Sequence, residues 1–411
     1  MGSRALGGLF GNLTIRRKLF LIALIAAVPT AILLYVVLTG QTADLNAAQQ
    51  ERHGVEFILP VQNLLQHVQL HRDSASAVLA GDQARNQELQ QSSADVDTDL
   101  KAVAAVDKKY GALFHTHDRV NAIKQTWEIV SGSTPNLTQK DSFDQHTALI
   151  TEQIVPLLYE IGDSSGLLRD PKAASSHIAA ALVNNVPQTT EALSESRADG
   201  AAILAGAAAH KRTLALAASE RDFLTHETGQ VQSTSTLTTR ELDHAVAADP
   251  AQKSALTGLI QSADNATQQF VAASQSLLLN GTNLNADTQP FWDPATSAVN
   301  STFQLSTASS SILQKLLDSR VSQTNTVRLF SFAVAASGIS VVSILILFVV
   351  LNITQRIARL VSAADRISLG DLNAEVNIEG RDELGELAQS FERMQSSLQA
   401  AIDRLRTRRA S

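Results

Sequence analysis

The sequence predicts an all-α membrane protein, on three observations. Aromatic residues make up only 4 % of the 411 residues, while Ala, Ser, Thr, Leu and Gln dominate. That composition packs helices through small and aliphatic side chains better than it fills a β-sandwich. Two stretches carry no charge over a length that crosses a bilayer, and beyond the second one apolar residues recur at alternating three- and four-residue steps. A hydrophobic share of 44 % is that of a folded chain, and the absence of cysteine excludes a disulfide framework, a thiolate metal site and a thiol nucleophile.

Residues 1–18 form a basic N-terminus, in which Arg4, Arg16, Arg17 and Lys18 stand without an acid. The first span is placed at 19–39, where Leu19 to Leu38 is charge-free, and the second at 329–351, where Leu329 to Leu351 is charge-free. A hydrocarbon core of about 30 Å needs roughly twenty such residues. A cleaved signal peptide is the alternative for the first, but its apolar region usually runs only about 7–15 residues. Arg356 and Arg359 follow the second span, whereas the first basic residue after the first span is Arg52. The positive-inside rule therefore puts both ends in the cytoplasm and residues 40–328 outside. Tyr35, Phe330 and Phe332 fall where headgroup-level aromatic anchors belong.

The outer segment holds 31 acidic and 20 basic residues, which excludes nucleic acid as its partner. Turn-forming clusters at Ser131–Thr138, in the run ending at Pro171, at Pro250 and over Asn280–Pro294 divide it into long helices. Val96, Leu100, Val103, Tyr110, Leu113, Val120, Ile123 and Trp127 lie on one stripe, which predicts a single amphipathic helix. From Pro294 onward no proline interrupts the chain, so a continuous helix is expected to run into the second span. "RDSASAVLAG" from Arg72 and "RADGAAILAG" from Arg197 agree at five of ten positions, which points to tandem helical modules, with chance agreement as the alternative.

On the cytoplasmic side of the second span, residues 352–405 read as helix, connector, helix. Ile357, Leu360, Ala364 and Ile367 form one heptad seam, and Leu384, Leu387, Phe391, Met394 and Leu398 form another. Gly370 suits a left-handed helix end, and Asp382 is an N-cap with Glu383 and Glu386 in the first turn. Between them Leu372, Ala374, Val376 and Ile378 alternate with polar residues, but no partner strand is evident. The first helix is roughly 25 Å long and twelve extended residues reach about 40 Å, so the connector has the length to run back along it. The two helices are then parallel, and a homodimer closes their narrow seams as a parallel four-helix bundle.

These residues resemble a HAMP signalling domain through Gly370, Asp371 and Leu372 followed by Asp382, Glu383, Leu384 and Gly385, in register with both heptads. Such domains usually carry a proline early in the first helix, where this chain has Arg356. The outer segment resembles the helical sensors of bacterial chemoreceptors, sensor kinases and nitrate- or nitrite-sensing transducers, with Asp73 where those often have glycine after the arginine. The resemblance implies a multi-pass receptor of the bacterial inner membrane. It implies an unknown small-molecule ligand, an anion being one candidate, and a cytoplasmic signalling partner or an output module attached after the basic tail 406–411. A chemoreceptor lacking its output hairpin is the first reading, the sensory front half of a histidine kinase or cyclase the second, and a membrane scaffold the third.

No catalytic motif is present, no phospho-accepting histidine occurs in 352–411, and no cofactor or metal is implied. His67 and His71, spaced i, i+4, have the reach to share a metal, but solvated surface histidines are the commoner case. Arg72 and Arg197 are the candidate ligand residues. Each faces apolar neighbours, and Ala75, Ser76, Gly200 and Ala201 one turn on are small enough to leave room for a planar anion on the guanidinium fork. The alternative is that each arginine pairs with an acid or reaches to water.

Overall fold

The computed structural model describes residues 15–209, 216–280, 287–376, 378 and 382–410. All of them lie in helices, turns or connectors, with no strand among the described residues. The basic residues Arg4 and the terminal Ser411 lie outside the described residues, as do the side chains of Arg16, Lys18, Arg406, Arg408 and Arg409. Two compact units are formed, Ala43–Asn325 and Met1–Thr42 with Thr326–Ser411.

Two helices belong to both units: α1, Ile15–Ala80, and α10, Gln289–Ser368. Both are long and apolar enough to cross a membrane, and their most apolar windows are almost wholly exposed, as lipid-facing surface is. Within Ala43–Asn325 the remaining helices are α2 Asn86–Phe114, α3 His117–Ser133, α4 Gln139–Leu149, α5 Val155–Ser164, α6 Ala173–Ala180, α7 Val186–Ala209, α8 Ala218–Ala248 and α9 Lys253–Ser274. They surround one core, to which α1 contributes Phe57, Ile58, Val61, Leu64 and Leu65 and α10 contributes Phe291, Val299 and Phe303.

Side-chain bonds set the directions of these helices. Gln62 donates to the carbonyl of Leu182 just before α7, Gln69 to Glu191 and Arg197 to Asp73, so α1 and α7 run parallel. Ser306 bonds Gln62 and Gln66 bonds Asn300, so α10 runs antiparallel to α1.

The stripe from Val96 to Trp127 is not one helix but a hairpin of α2 and α3. His115 adopts φ +60° and reverses the chain. Asp107 holds the reversal, accepting from Thr116 Oγ1 at 2.6 Å and lying 2.6 Å from His117 Nδ1. Trp127 Nε1 then donates to Asp97 across the hairpin at 3.0 Å. The heptad spacing from Leu113 to Val120 concealed a turn that contains neither glycine nor proline, and Leu113 is exposed while Phe114 is buried. The predicted breaks near Pro135, Pro171 and Pro250 are present. The last predicted loop ends earlier than Pro294, because α10 begins at Gln289 and buries Phe291 and Trp292.

In the second unit α10 ends at Ser368 with Gly370 at φ +95°. Asp382 caps α11, Glu383–Ala410, by accepting from the Gly385 N–H at 3.1 Å. Arg356 binds both carboxylate oxygens of Asp382, which puts the start of α11 beside α10 and makes the two helices parallel there. The connector covers their seam as its alternation predicts: Ala374 and Val376 are buried against Leu360, Ala363, Ile367 and Ala388. Gln395 fastens it by donating to the carbonyls of Leu372 and Ala374.

The hairpin turn gives a paired test. A Cβ at Gly111 would lie 2.3 Å from Asp107 Oδ1 and 2.5 Å from His117 Cε1, while one at Gly132 meets nothing within 4 Å. Gly111→Ala is expected to destabilise the protein by about 1–3 kcal/mol. Gly132→Ala is expected to be neutral or to stabilise by about 0.4–1 kcal/mol. Urea unfolding followed by helical circular dichroism measures both.

Candidate functional site

Arg72 and Arg197, 125 positions apart in sequence, meet on one carboxylate. Arg72 ends the last full turn but two of α1 and Arg197 lies in the middle of α7; both are essentially unexposed. Asp73 Oδ1 lies 3.2 Å from Arg72 Nε, and Asp73 Oδ2 lies 2.8 Å from Arg197 Nε. Ser194 Oγ, from α7, joins the same centre, accepting from Arg72 Nη2 at 2.8 Å and donating to Asp73 Oδ2 at 2.8 Å.

The remaining guanidinium donors are also used. Arg72 Nη1 donates to Glu191 Oε1 at 2.6 Å and to Thr147 Oγ1 at 2.9 Å. Arg197 Nη1 donates to Thr296 Oγ1 at 3.1 Å. The arginines therefore tie α1, α4, α7 and α10 together at one level of the bundle. The space beside the small residues is filled: a Cβ at Gly200 would meet Phe291 Cζ at 2.2 Å, and Trp292 packs on Ala77 and Ala201. Arg197 lies over the Trp292 ring at 5.0 Å and Arg72 over Phe143 at 5.0 Å. Neither arginine reaches water.

Burial by itself lowers the pKa of Arg72, but Glu191, Asp73 and Glu195 outweigh it and hold the guanidinium charged. The surplus acids respond in the opposite sense. Burial, then Glu191, raises Glu195 to about 8, and burial, then Glu227, raises Asp199 to about 7. These two groups take up protons on folding, so their contribution to stability is present at acidic pH and is lost as pH rises through about 7 to 8.

The histidines are placed differently from the sequence expectation. His67 lies 2.5 Å from Asp99, while His71 is buried and its Nδ1 lies 2.8 Å from His146 Nε2, so the two bind different partners. His71 is thus not a solvated surface residue. Burial lowers it to about 3 and lowers His146 to about 4, keeping both neutral. The His71–His146 pair was invisible in sequence because His146 lies 75 positions away.

In the second unit the predicted seam divides between two faces. Leu360 and Ile367 are buried, Ile357, Ala364, Leu384 and Phe391 are half-buried, and Ala363 and Ala388 take core positions beside them. Leu387, Met394 and Leu398 remain 46, 44 and 42 % exposed in the single chain, which leaves an apolar stripe on α11 uncovered. Gly370, Asp371 and Leu372 form the helix stop, with Asp371 accepting from Arg366, and Asp382, Glu383 and Gly385 form the start of α11.

Residues 348–400 match the HAMP domain family. The chain carries a HAMP domain. The chain is similar to a putative sensory transducer protein of Acetivibrio thermocellus, 46 % identical over 57 residues, which are 14 % of this chain and 10 % of that one. It is also similar to the methyl-accepting chemotaxis proteins McpA and McpB of Bacillus subtilis. McpA is 41 % identical over 69 residues, 17 % of this chain and 10 % of McpA. McpB is 52 % identical over 48 residues, 12 % of this chain and 7 % of McpB. The chain spans about a tenth of the length of the curated relatives it matches. The structure of the NasR transcription antiterminator shares the fold at a TM-score of 0.53 and 14 % identity, over 88 % of this chain and 94 % of that one. Beside its HAMP domain, the chain is thus similar to sensory transducers and chemotaxis receptors over a short stretch.

The arginine centre yields a prediction. Asp73→Ala leaves two buried guanidinium groups short of a partner and is expected to cost about 3–5 kcal/mol. Nitrate, nitrite or acetate is expected to restore stability to Asp73→Ala more than it stabilises the unaltered chain, read as shifts in Tm. Equal shifts, or none in the variant, would show that the centre has no affinity for an anion.

Proposed function

We propose that the chain is a homodimeric transmembrane receptor in which the outer unit senses a stimulus and the HAMP domain relays it to a cytoplasmic partner or output module. The observation that carries this reading is α10. One helix contributes Thr296 to the arginine centre, supplies the second apolar span and forms the first HAMP helix. A stimulus that favours one packing of the outer helices over another shifts the equilibrium of that helix by its differential affinity for the two.

The sensory centre is Arg72 with Arg197. In the state seen here the anion that they hold is the chain's own Asp73. A small planar anion acts as ligand by taking the place of that carboxylate, whose release frees α7 from α1. The uncovered stripe of Leu387, Met394 and Leu398 supports the dimer, since a second copy buries it in a parallel four-helix bundle. Chemotaxis-type output is the reading that the relatives' names favour, and no enzymatic step is assigned to the chain.

Topology is tested with single cysteines, which the chain otherwise lacks. Ser74 is buried, so exposed Ala94 is the outer position and exposed Ser396 the inner one. A membrane-impermeant thiol reagent added to intact cells is expected to label Ala94→Cys and to spare Ser396→Cys until the membrane is opened. Labelling of both from the same side would contradict the receptor reading.

A further inference from the structure

A second buried charge group lies far along α1 from the arginine centre. Arg320 Nη1, on α10, donates to Glu51 Oε2 on α1 at 2.9 Å and to Asp170 Oδ1 at 3.0 Å. Asp170 stands just after the 3-10 turn Leu167–Arg169 that follows α5. Glu51 is 3 % and Asp170 6 % exposed. Asp170 Oδ1 also accepts from the Lys172 backbone N–H at 2.8 Å, but its Oδ2 is buried with no partner among the described residues.

Other charged groups nearby are already paired. On α1 and α10, Arg52 pairs with Asp318 at 3.3 Å. On the turn, Arg169 binds Asp163. His53 stacks on Tyr110 of α2, whose hydroxyl donates to Glu56. Among the described residues, the charges that act on Glu51 are one guanidinium, Arg320, and one further carboxylate, Asp170. With all three ionised the group carries a net negative charge in a buried place, which two carboxylates on one nitrogen cannot relieve. With Glu51 protonated the group is neutral.

We propose that Glu51, Asp170 and Arg320 form a proton-operated clasp between α1 and α10, closed when Glu51 is protonated and loosened when it ionises. The chemistry of Glu51 supports this. Burial, then the charge of Asp170, pushes its carboxyl up to about 7 against the opposing pull of Arg320. A carboxyl raised in this way stabilises the fold fully below its ordinary value of about 4.5, and that stability is lost as pH rises through about 7. Both helices of the clasp continue into the apolar spans, so protons act on the pair of elements through which the outer unit joins the rest of the chain. This deepens the receptor reading by naming a stimulus. The clasp itself is read by helix proximity, whereas the side of the membrane is read by thiol labelling, so the two fail separately.

The test uses the full chain in lipid nanodiscs with Arg52→Cys and Asp318→Cys, which replace a neighbouring pair across α1 and α10. The rate of disulfide formation is measured at about pH 5 and about pH 8 and divided by the rate in the same chain bearing Glu51→Gln, which cancels the thiol's own pH dependence. The ratio is expected to fall severalfold at the higher pH, as ionised Glu51 loosens the clasp. Asp170→Asn removes the competing charge and leaves Glu51 paired with Arg320, so the rate in this second variant, divided by the rate in the Glu51→Gln chain, is expected not to change with pH. A constant ratio in the chain with Glu51 and Asp170 intact, or a fall that persists in Asp170→Asn, overturns the clasp.

Discussion

The unit Ala43–Asn325 depends on one interaction, the sharing of the Asp73 carboxylate by Arg72 and Arg197. Burying two guanidinium groups is costly, and the structure meets the cost only because every donor described finds an oxygen on α1, α4, α7 or α10. The same condition makes the network specific. A helix that slid by one turn would leave a charge unpaired, so the register of α1 against α7 is fixed by charge where the flanking Ala, Gly and Ser side chains fix it poorly by shape. Trp292 and Phe291 then fill the room those small residues leave.

Charge also governs the pH behaviour of the bundle. Acids outnumber bases in residues 40–328, and where they are buried around an arginine, burial first and the neighbouring acids second push the surplus carboxylates up, while the arginine stays charged. Glu195 and Asp199 near Arg72, and Glu51 near Arg320, are two expressions of this rule. The buried His71–His146 pair limits stability from the other side. Its rings must remain neutral, so its contribution is complete above about 6.5 and is lost as pH falls through about 4.

Helical class, the two apolar spans and the HAMP residues were legible because each rests on local pattern. Gly370 and Asp382 occupy the helix stop and cap that their chemistry predicts, and the alternation over Leu372–Val376 lies against the seam. What the sequence hid was long-range. The α2–α3 reversal at His115 depends on Asp107, eight residues earlier, and keeps the apolar spacing intact. The occupant of the arginine pair was adjacent in sequence to Arg72, but its role appears only when α7 brings Arg197 to the same carboxylate. In the HAMP domain the heptad reading could not separate the face covered by the connector from the stripe of Leu387, Met394 and Leu398, because both obey the same period.

On the proposal advanced here, the arginine centre and the HAMP domain are two ends of one two-state element, with α10 common to both. The most direct measurement is the distance between spin labels at Ser396→Cys in the two copies of a full-length dimer in nanodiscs, with and without Asp73→Asn. The account predicts a well-defined distance between copies in the unaltered chain and a changed distribution once the buried network is broken, with helical content preserved. The same distribution in both chains would contradict coupling between the outer unit and the HAMP domain, and no measurable distance between copies would contradict the dimer.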